Sequence, residues 1–171
     1  MKKIILVTGG AGFVGSNLIE HLLNKTKFKI LSNDNYSSGS KKNHIKNKRI
    51  NYLLGNTSEI NKILKKYKNK IHSVFHFGEF SRIYQSFKNF DQCYDSNSIG
   101  TKAIFKYCLD NKIKLIYSAT SASLGNLGDD KNLSPYAFTK SKNLELLENL
   151  KKWYNFKYEV IYFYNVYGPF Q

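Results

Sequence analysis

Short runs of aliphatic and β-branched residues alternate along this chain with longer stretches in which apolar positions recur every three or four residues. The first run, Lys3-Ile4-Ile5-Leu6-Val7-Thr8, is apolar at consecutive positions and too short for a helix. That is the pattern of a strand buried on both faces of a parallel sheet. In the stretch that follows, Val14, Leu18 and Leu22 share a helical stripe with Ile19 and Leu23. Strands are predicted again over 28–33, 50–54, 73–77, 114–118 and 158–163. Between them, Ser58 can cap a helix through Ile60, Ile63 and Leu64. A second helix runs from Asn97 to Leu109 with Ile104, Phe105 and Cys108 inward. Ser134 caps a long third helix with Pro135 at its first position, carrying Tyr136, Lys140, Leu144, Leu147 and Leu150. The Lys- and Asn-rich stretch from Ser37 to Asn51 reads as a surface loop with a short helix. The repetition predicts an α/β domain, a parallel sheet with helices on both faces.

The turn between the first strand and helix carries Thr8-Gly9-Gly10-Ala11-Gly12-Phe13-Val14-Gly15. A glycine-rich strand-to-helix turn is the context that dinucleotide binding requires. Gly9 permits the tight turn, Gly12 the approach of a pyrophosphate, and Gly15 close helix packing. The helix N-terminus offers free N–H groups to phosphate. The second strand ends at Asp34, about 20 residues beyond the loop, where a carboxylate binds adenosine ribose hydroxyls and repels a 2′-phosphate. The fold class is therefore a Rossmann-type doubly wound sheet, and the expected cofactor is NAD rather than NADP. Ligands in such sheets sit beyond the carboxyl ends of the strands. The loop, Asp34, His76 to Ser81, Ser118 to Thr120 and Tyr164-Asn165 all fall there.

Tyr136 and Lys140 stand four apart on the long helix and share a face. An ammonium beside a phenol favours the phenolate, so the Tyr136 pKa is expected to fall from about 10 toward neutrality. Such a tyrosine accepts a proton from a substrate hydroxyl as hydride leaves the same carbon. Thr120, at a strand end, can orient that substrate. Taken alone, the Tyr-x-x-x-Lys spacing is equally that of an amphipathic helix in a chain rich in both residues.

The 171 residues suit one domain with a real core. A formal net charge of +15 raises the question of nucleic acid. However, the lysines are scattered as Lys2 and Lys3, Lys41 and Lys42, Lys65 and Lys66, Lys151 and Lys152. Arginine, the preferred reader of phosphate and guanine, is confined to Arg49 and Arg82. A solvated basic surface that draws in anionic ligands is the better reading, with no nucleic-acid partner. Cys93 and Cys108 read as small buried residues in a reducing, cytoplasmic setting. The apolar start at Met1 is cut off by Gly9 and Gly10, so it reads as a strand rather than a signal peptide, and no stretch is long enough to span a membrane. No metal site is expected.

With these residues in place, the chain resembles the N-terminal part of an extended short-chain dehydrogenase/reductase, in the NAD-dependent epimerase/dehydratase family. Thr8 to Gly15 matches that family's nucleotide loop, and Asp34-Asn35-Tyr36-Ser37-Ser38-Gly39 its ribose segment. His76-Phe77-Gly78-Glu79-Phe80-Ser81 is similar to its fourth-strand motif, and Asn97-Ser98-Ile99-Gly100-Thr101 to the following helix. Ser118-Ala119-Thr120-Ser121-Ala122 resembles the catalytic strand, Ser134 to Lys140 the catalytic helix, and Tyr164 to Pro169 the segment closing the nicotinamide site. The resemblance implies NAD contacts from Gly9, Gly12, Phe13, Val14, Gly15, Asp34, Asn35, Ser38, Asn56, Thr57, Phe77, Gly78, Ser81, Asn97, Ser118, Tyr136, Lys140 and Tyr164. It implies catalysis by Tyr136, Lys140 and Thr120, and substrate contacts from Thr120, Tyr136 and Asn165. The implied substrate is a nucleotide sugar, first a UDP-sugar, and a homodimer is compatible with it.

Three departures from the family pattern bear on this. Asn56-Thr57 stand where Asp-Ile is common beside adenine. Leu124-Gly125 replace Tyr-Gly, and the loop to Tyr136 is short. The chain stops at Gln171, where family members continue into a substrate domain, so a fragment lacking that domain is expected. Dehydratases carry Asp-Glu after the catalytic Thr. Here Ser121-Ala122 follow Thr120, which disfavours loss of water and places epimerisation first. A nucleotide-sugar dehydratase, reductase or dehydrogenase of the same family, and a truncated non-catalytic NAD-binding module, remain the alternatives.

Overall fold

The computed structural model describes residues 3–171, so Met1 and Lys2 lie outside it. Six parallel strands form one sheet in the order β3-β2-β1-β4-β5-β6. They are β1 (Ile4–Thr8), β2 (Lys29–Asp34), β3 (Ile50–Leu54), β4 (Ile71–His76), β5 (Lys114–Thr120) and β6 (Tyr158–Phe163). Every predicted strand is present, with ends shifted by two residues at most.

β1 lies at the centre of the sheet and is buried along its whole length. Side chains alternate between the faces of a strand, so its residues feed two cores. Ile5 and Val7 pack with Ile30 beneath α1 (Phe13–Lys25), against Ile19, Leu22 and Leu23. Ile4 and Leu6 join Val74, Leu115 and Tyr117 on the other face. Ile60 and Leu64 cover that face from α2 (Ile60–Ile63) and the residue after it. Ile104, Phe105 and Cys108 of α5 (Thr101–Asp110) and Leu147 of α6 (Pro135–Tyr154) complete it. Both cysteines are free and buried. α6 begins as its sequence predicts, with the Ser134 side chain accepting from the Ala137 N–H and Pro135 in the first turn.

Two helices precede α5 that the hydrophobic period did not mark, α3 (Ile83–Lys88) and α4 (Phe90–Tyr94). Their inward residues are small, Ser86 and Cys93, while Ile83, Tyr84, Phe87, Phe90 and Tyr94 are exposed. A core-facing apolar stripe is therefore missing, although the helices pack against α6. A π-helical turn, Asp95–Gly100, joins α4 to α5. The helix expected to start at Asn97 is thus the last part of a longer, broken helical run. The Ser37–Asn51 segment contains a single 3₁₀ turn, Lys41–Asn43, and gives its last two residues to β3.

Leu115 is fully buried in the larger core. Leu115→Ala is expected to lower unfolding free energy by about 2–5 kcal/mol, the range for deleting a buried leucine side chain. Chemical denaturation checks this, and a loss below about 1 kcal/mol would place Leu115 outside the load of the core.

Candidate active site

The carboxyl ends of the strands open into one long cleft of about 1640 Å³, bordered from the glycine loop to Tyr136 and Lys140. At the first end, Gly9 has φ +68° and donates its N–H to the Asn33 carbonyl. A side chain there would collide with the Phe77 carbonyl at 2.6 Å. At Gly15 a Cβ would stand 2.2 Å from the Gly9 carbonyl oxygen, so α1 can lie this close to the loop only with glycine. α1 starts at Gly12 with no side-chain cap and no acidic residue in its first turn. Its positive end is therefore left for an anion. A Cβ on Gly12 would meet just the Gly9 oxygen, at 3.3 Å, among the described residues. Glycine at that position keeps cleft space clear, as a diphosphate requires.

Asp34 closes this end. Oδ2 accepts the Ala11 N–H at 2.9 Å and Oδ1 accepts the Tyr36 N–H at 2.8 Å. Each oxygen keeps a lone pair for a ribose hydroxyl. Asn35 donates to Asn56 Oδ1 at 2.8 Å. Both border the cleft, with Ser38 and Thr57. These groups fit the adenosine half of a dinucleotide.

The middle of the cleft is set by buried Thr8. Its hydroxyl accepts the N–H groups of Phe77 (3.2 Å) and Gly78 (3.1 Å) and lies 2.6 Å from His76 Nδ1. With its lone pairs so used, the hydroxyl donates its proton to Nδ1, which assigns the tautomer with hydrogen on Nε2. Nε2 then donates to Thr101 Oγ1 at 2.9 Å, and Thr101 donates to Glu79 Oε1 at 3.0 Å. Burial holds the His76 imidazole well below its ordinary value, at about 4. The Glu79 charge pulls it up and the Lys140 charge pushes it down.

At the far end Lys140, Glu79, Ser118, Thr120 and Tyr136 border the cleft together. The Lys140 and Glu79 side chains are 5% and 3% exposed, and Nζ lies 2.5 Å from Oε2. Nζ also donates to the Ser118 carbonyl. Glu79 Oε1 accepts from Tyr117 at 3.0 Å and from Asn143 at 3.2 Å, besides Thr101. In sequence Glu79 is one letter of the His76–Ser81 motif, and the structure brings it to the centre of this cluster. A carboxyl group flanked by Gly78 and Phe80 directly after a buried strand is the sequence signal for it.

The geometry corrects the expectation for Tyr136. Its phenol is pushed above the ordinary tyrosine value, first by burial, then by the charge of Glu79 and by Cys93, while a hydrogen bond with Thr120 pulls the other way. Lys140 shares its helix face but its charge is met by Glu79. Tyr136 is further anchored by its backbone N–H, which donates to Ser86 Oγ at 3.3 Å.

Tyr164 and Asn165, beyond β6, border the same cleft, as do Phe13, Val14, Phe77, Gly78 and Ser81. Asn97 does not stand among the lining residues. It is fully buried, accepts the Phe80 N–H at 2.6 Å and donates to the Phe80 carbonyl at 3.1 Å. It acts as a strut behind the loop that carries Glu79 rather than as a wall of the cleft. The short 3₁₀ segment Gly125–Asn132 contributes Gly125 and Asp130 to the rim.

The model of the NAD dependent epimerase/dehydratase family matches residues 5–171, and the chain belongs to this family. It is 34% identical to an ADP-L-glycero-D-manno-heptose-6-epimerase from Brachyspira hyodysenteriae, over 97% of this chain and 55% of that protein. The chain thus spans about half the length of this curated relative. Among solved structures it is similar to a UDP-glucose 4-epimerase from Thermotoga maritima, with TM-score 0.86, 26% identity, and 98% and 57% of the two chains covered. A UDP-N-acetylglucosamine 4-epimerase from Methanobrevibacter ruminantium gives TM-score 0.85 and 27% identity, covering 100% and 58%. An epimerase from Methanothermobacter thermautotrophicus, 24% identical with TM-score 0.88 over 98% and 53%, shares the fold. Among the described residues no helix is long and apolar enough to cross a membrane.

The buried His76 generates a pH prediction. The unfolded imidazole takes its proton near 6.5 and the folded one near 4. Between these values the unfolded state binds more protons, so His76 adds stability above pH 6.5 that is lost as pH falls toward 4. The full effect is on the order of 3 kcal/mol. The unfolding free-energy difference between wild type and His76→Asn should narrow across this window. Parallel pH curves for the two proteins would contradict the buried neutral imidazole.

Proposed function

We propose that this chain is the cofactor-binding and catalytic part of an NAD-dependent nucleotide-sugar epimerase, acting first at carbon 4 of a UDP-sugar through a transient keto sugar. The observation that carries this reading is the convergence of Thr120, Tyr136 and Lys140 at the opposite end of one cleft from the glycine loop and Asp34. Family membership and the epimerase relatives support it. The domain that grips the sugar nucleotide is taken to lie outside these 171 residues. Elimination of water is disfavoured because Ser121-Ala122 follow Thr120 where an acid and a base would be needed.

In this reading the free N–H groups at the start of α1 bind the pyrophosphate. Asp34 takes the adenosine ribose hydroxyls, and Asn56 and Thr57 flank the adenine. NAD supplies the hydride acceptor at the carbon whose hydroxyl is deprotonated. Tyr136 accepts that hydroxyl proton and returns it, and Thr120, on the same stretch of the cleft, orients the substrate hydroxyl. Lys140 donates to Glu79, to the Ser118 carbonyl and, at 3.4 Å, to Ser118 Oγ, and a nicotinamide ribose hydroxyl would take the place of that longest contact. Tyr164 and Asn165 close the nicotinamide end.

Tyr136→Phe in the full-length protein is expected to lower kcat at least about a hundredfold, the scale of a lost general acid/base. NAD affinity measured by calorimetry should stay within about threefold, since the phenol supplies little binding energy. Turnover close to wild type in that variant would sink the mechanism. NAD binding with no sugar turnover in either protein would favour the non-catalytic module.

A further inference from the structure

Two N–H groups in the first turn of α6 need partners from outside the helix, because Pro135 has none and that of Phe138 reaches the Ser134 carbonyl at 2.9 Å. They belong to Tyr136 and Ala137. Ser134, the residue before the helix, takes the Ala137 N–H at 3.0 Å. The Tyr136 N–H is taken by a different element, through Ser86 Oγ of α3 at 3.3 Å. Ser86 is fully buried, on a helix whose Ile83, Tyr84 and Phe87 are exposed. Its own proton goes to the Ile83 carbonyl at 2.6 Å, so its oxygen meets α6 as an acceptor. The carbonyl side of Tyr136 is held as well. Thr139 Oγ1 shares its proton between the carbonyls of Pro135 and Tyr136, at 2.9 and 3.0 Å, and accepts the buried Asn97 amide at 3.3 Å.

The Ser134 cap is enough to start a helix. A second cap reaches from another element to the backbone of a residue that borders the cleft, and so fixes where the first turn sits against α3. We propose that Ser86 is a positioning residue for Tyr136: its oxygen sets the placement of the first turn of α6, and with it the point from which the phenol meets a substrate hydroxyl. The inference rests on the reading of Tyr136 as the acid/base. Proton transfer needs the two heavy atoms within about 3 Å of each other, and a misplacement of about 1 Å costs up to about a hundredfold in rate. Removing the Ser86 oxygen leaves the Tyr136 N–H without its partner, and the turn shifts or frays to find water. α3 has no core-facing apolar stripe, and this bond gives it a reason to lie where it does.

Ser86→Ala removes the acceptor, and Ser86→Cys keeps the side-chain volume while weakening it. NMR hydrogen exchange reads the bond without substrate. The Tyr136 amide should exchange about tenfold faster in Ser86→Ala, the scale of one lost hydrogen bond, with the Leu147 amide of the same helix within about threefold of wild type. In the full-length protein with NAD and UDP-glucose, kcat should fall about tenfold or more in Ser86→Ala, while KM and NAD affinity stay within about threefold. Ser86→Cys should follow Ser86→Ala in both readouts, and it carries the test should Ser86→Ala fold poorly. A Tyr136 amide that exchanges as in wild type, a kcat within about twofold of wild type, or full recovery in Ser86→Cys would overturn the proposal. Turnover close to wild type in Tyr136→Phe would instead sink the acid/base reading and this inference with it. An inactive Tyr136→Phe beside an unimpaired Ser86→Ala would sink this inference alone.

Discussion

The structure depends on a line of buried polar contacts that runs from the glycine loop to Lys140 of α6. Thr8 at the end of β1 donates to His76 at the end of β4. His76 donates to Thr101 of α5, Thr101 to Glu79, and Glu79 receives Lys140 of α6. Each link joins a different pair of elements, so strand ends and helices that carry separate functional groups are held in one frame. Such a line is costly unless every member is paired, and here each is. Removing one end would leave a charge stranded in the core, which is why Glu79 and Lys140 have to be regarded as a unit.

This frame gives the two ends of the cleft different electrical characters. The α1 end presents unpaired N–H groups and no acidic side chain in its first turn, so it favours an anion. Asp34 beyond it limits how much negative charge can extend past the ribose. The Tyr136 end presents an ion pair of no net charge and a phenol raised by burial. The phosphates of a dinucleotide would meet a complementary surface at the α1 end, while the Tyr136 end adds no net charge of its own. The excess of lysine over the outer surface adds a long-range attraction for such ligands, without setting where they dock.

The strands were legible because a parallel sheet buries both faces, and runs such as Ile4-Ile5-Leu6-Val7 have no other stable use. The glycine loop and Asp34 were legible because their roles are fixed by backbone geometry within about 25 residues of chain. Helices α3 and α4 were hidden because Ser86 and Cys93, not large apolar residues, face inward. Asn97 was placed at the cofactor by its motif, whereas its amide is used on the Phe80 backbone. The largest reversal concerns Tyr136. The four-residue spacing correctly put Lys140 on its face, but a spacing says nothing about a third group. The carboxylate that pairs with Lys140 comes from 61 residues earlier in the chain, on the loop after β4.

The central claim is that hydride leaves and returns to the same sugar carbon with no net change of the cofactor. The most direct measurement incubates the full-length protein and NAD with UDP- and ADP-linked sugars, following the sugar protons by NMR and reduced nicotinamide by absorbance. The account predicts interconversion of two epimers over many turnovers with no accumulation of reduced cofactor. Stoichiometric build-up of reduced nicotinamide, or a product that has lost water, would contradict it.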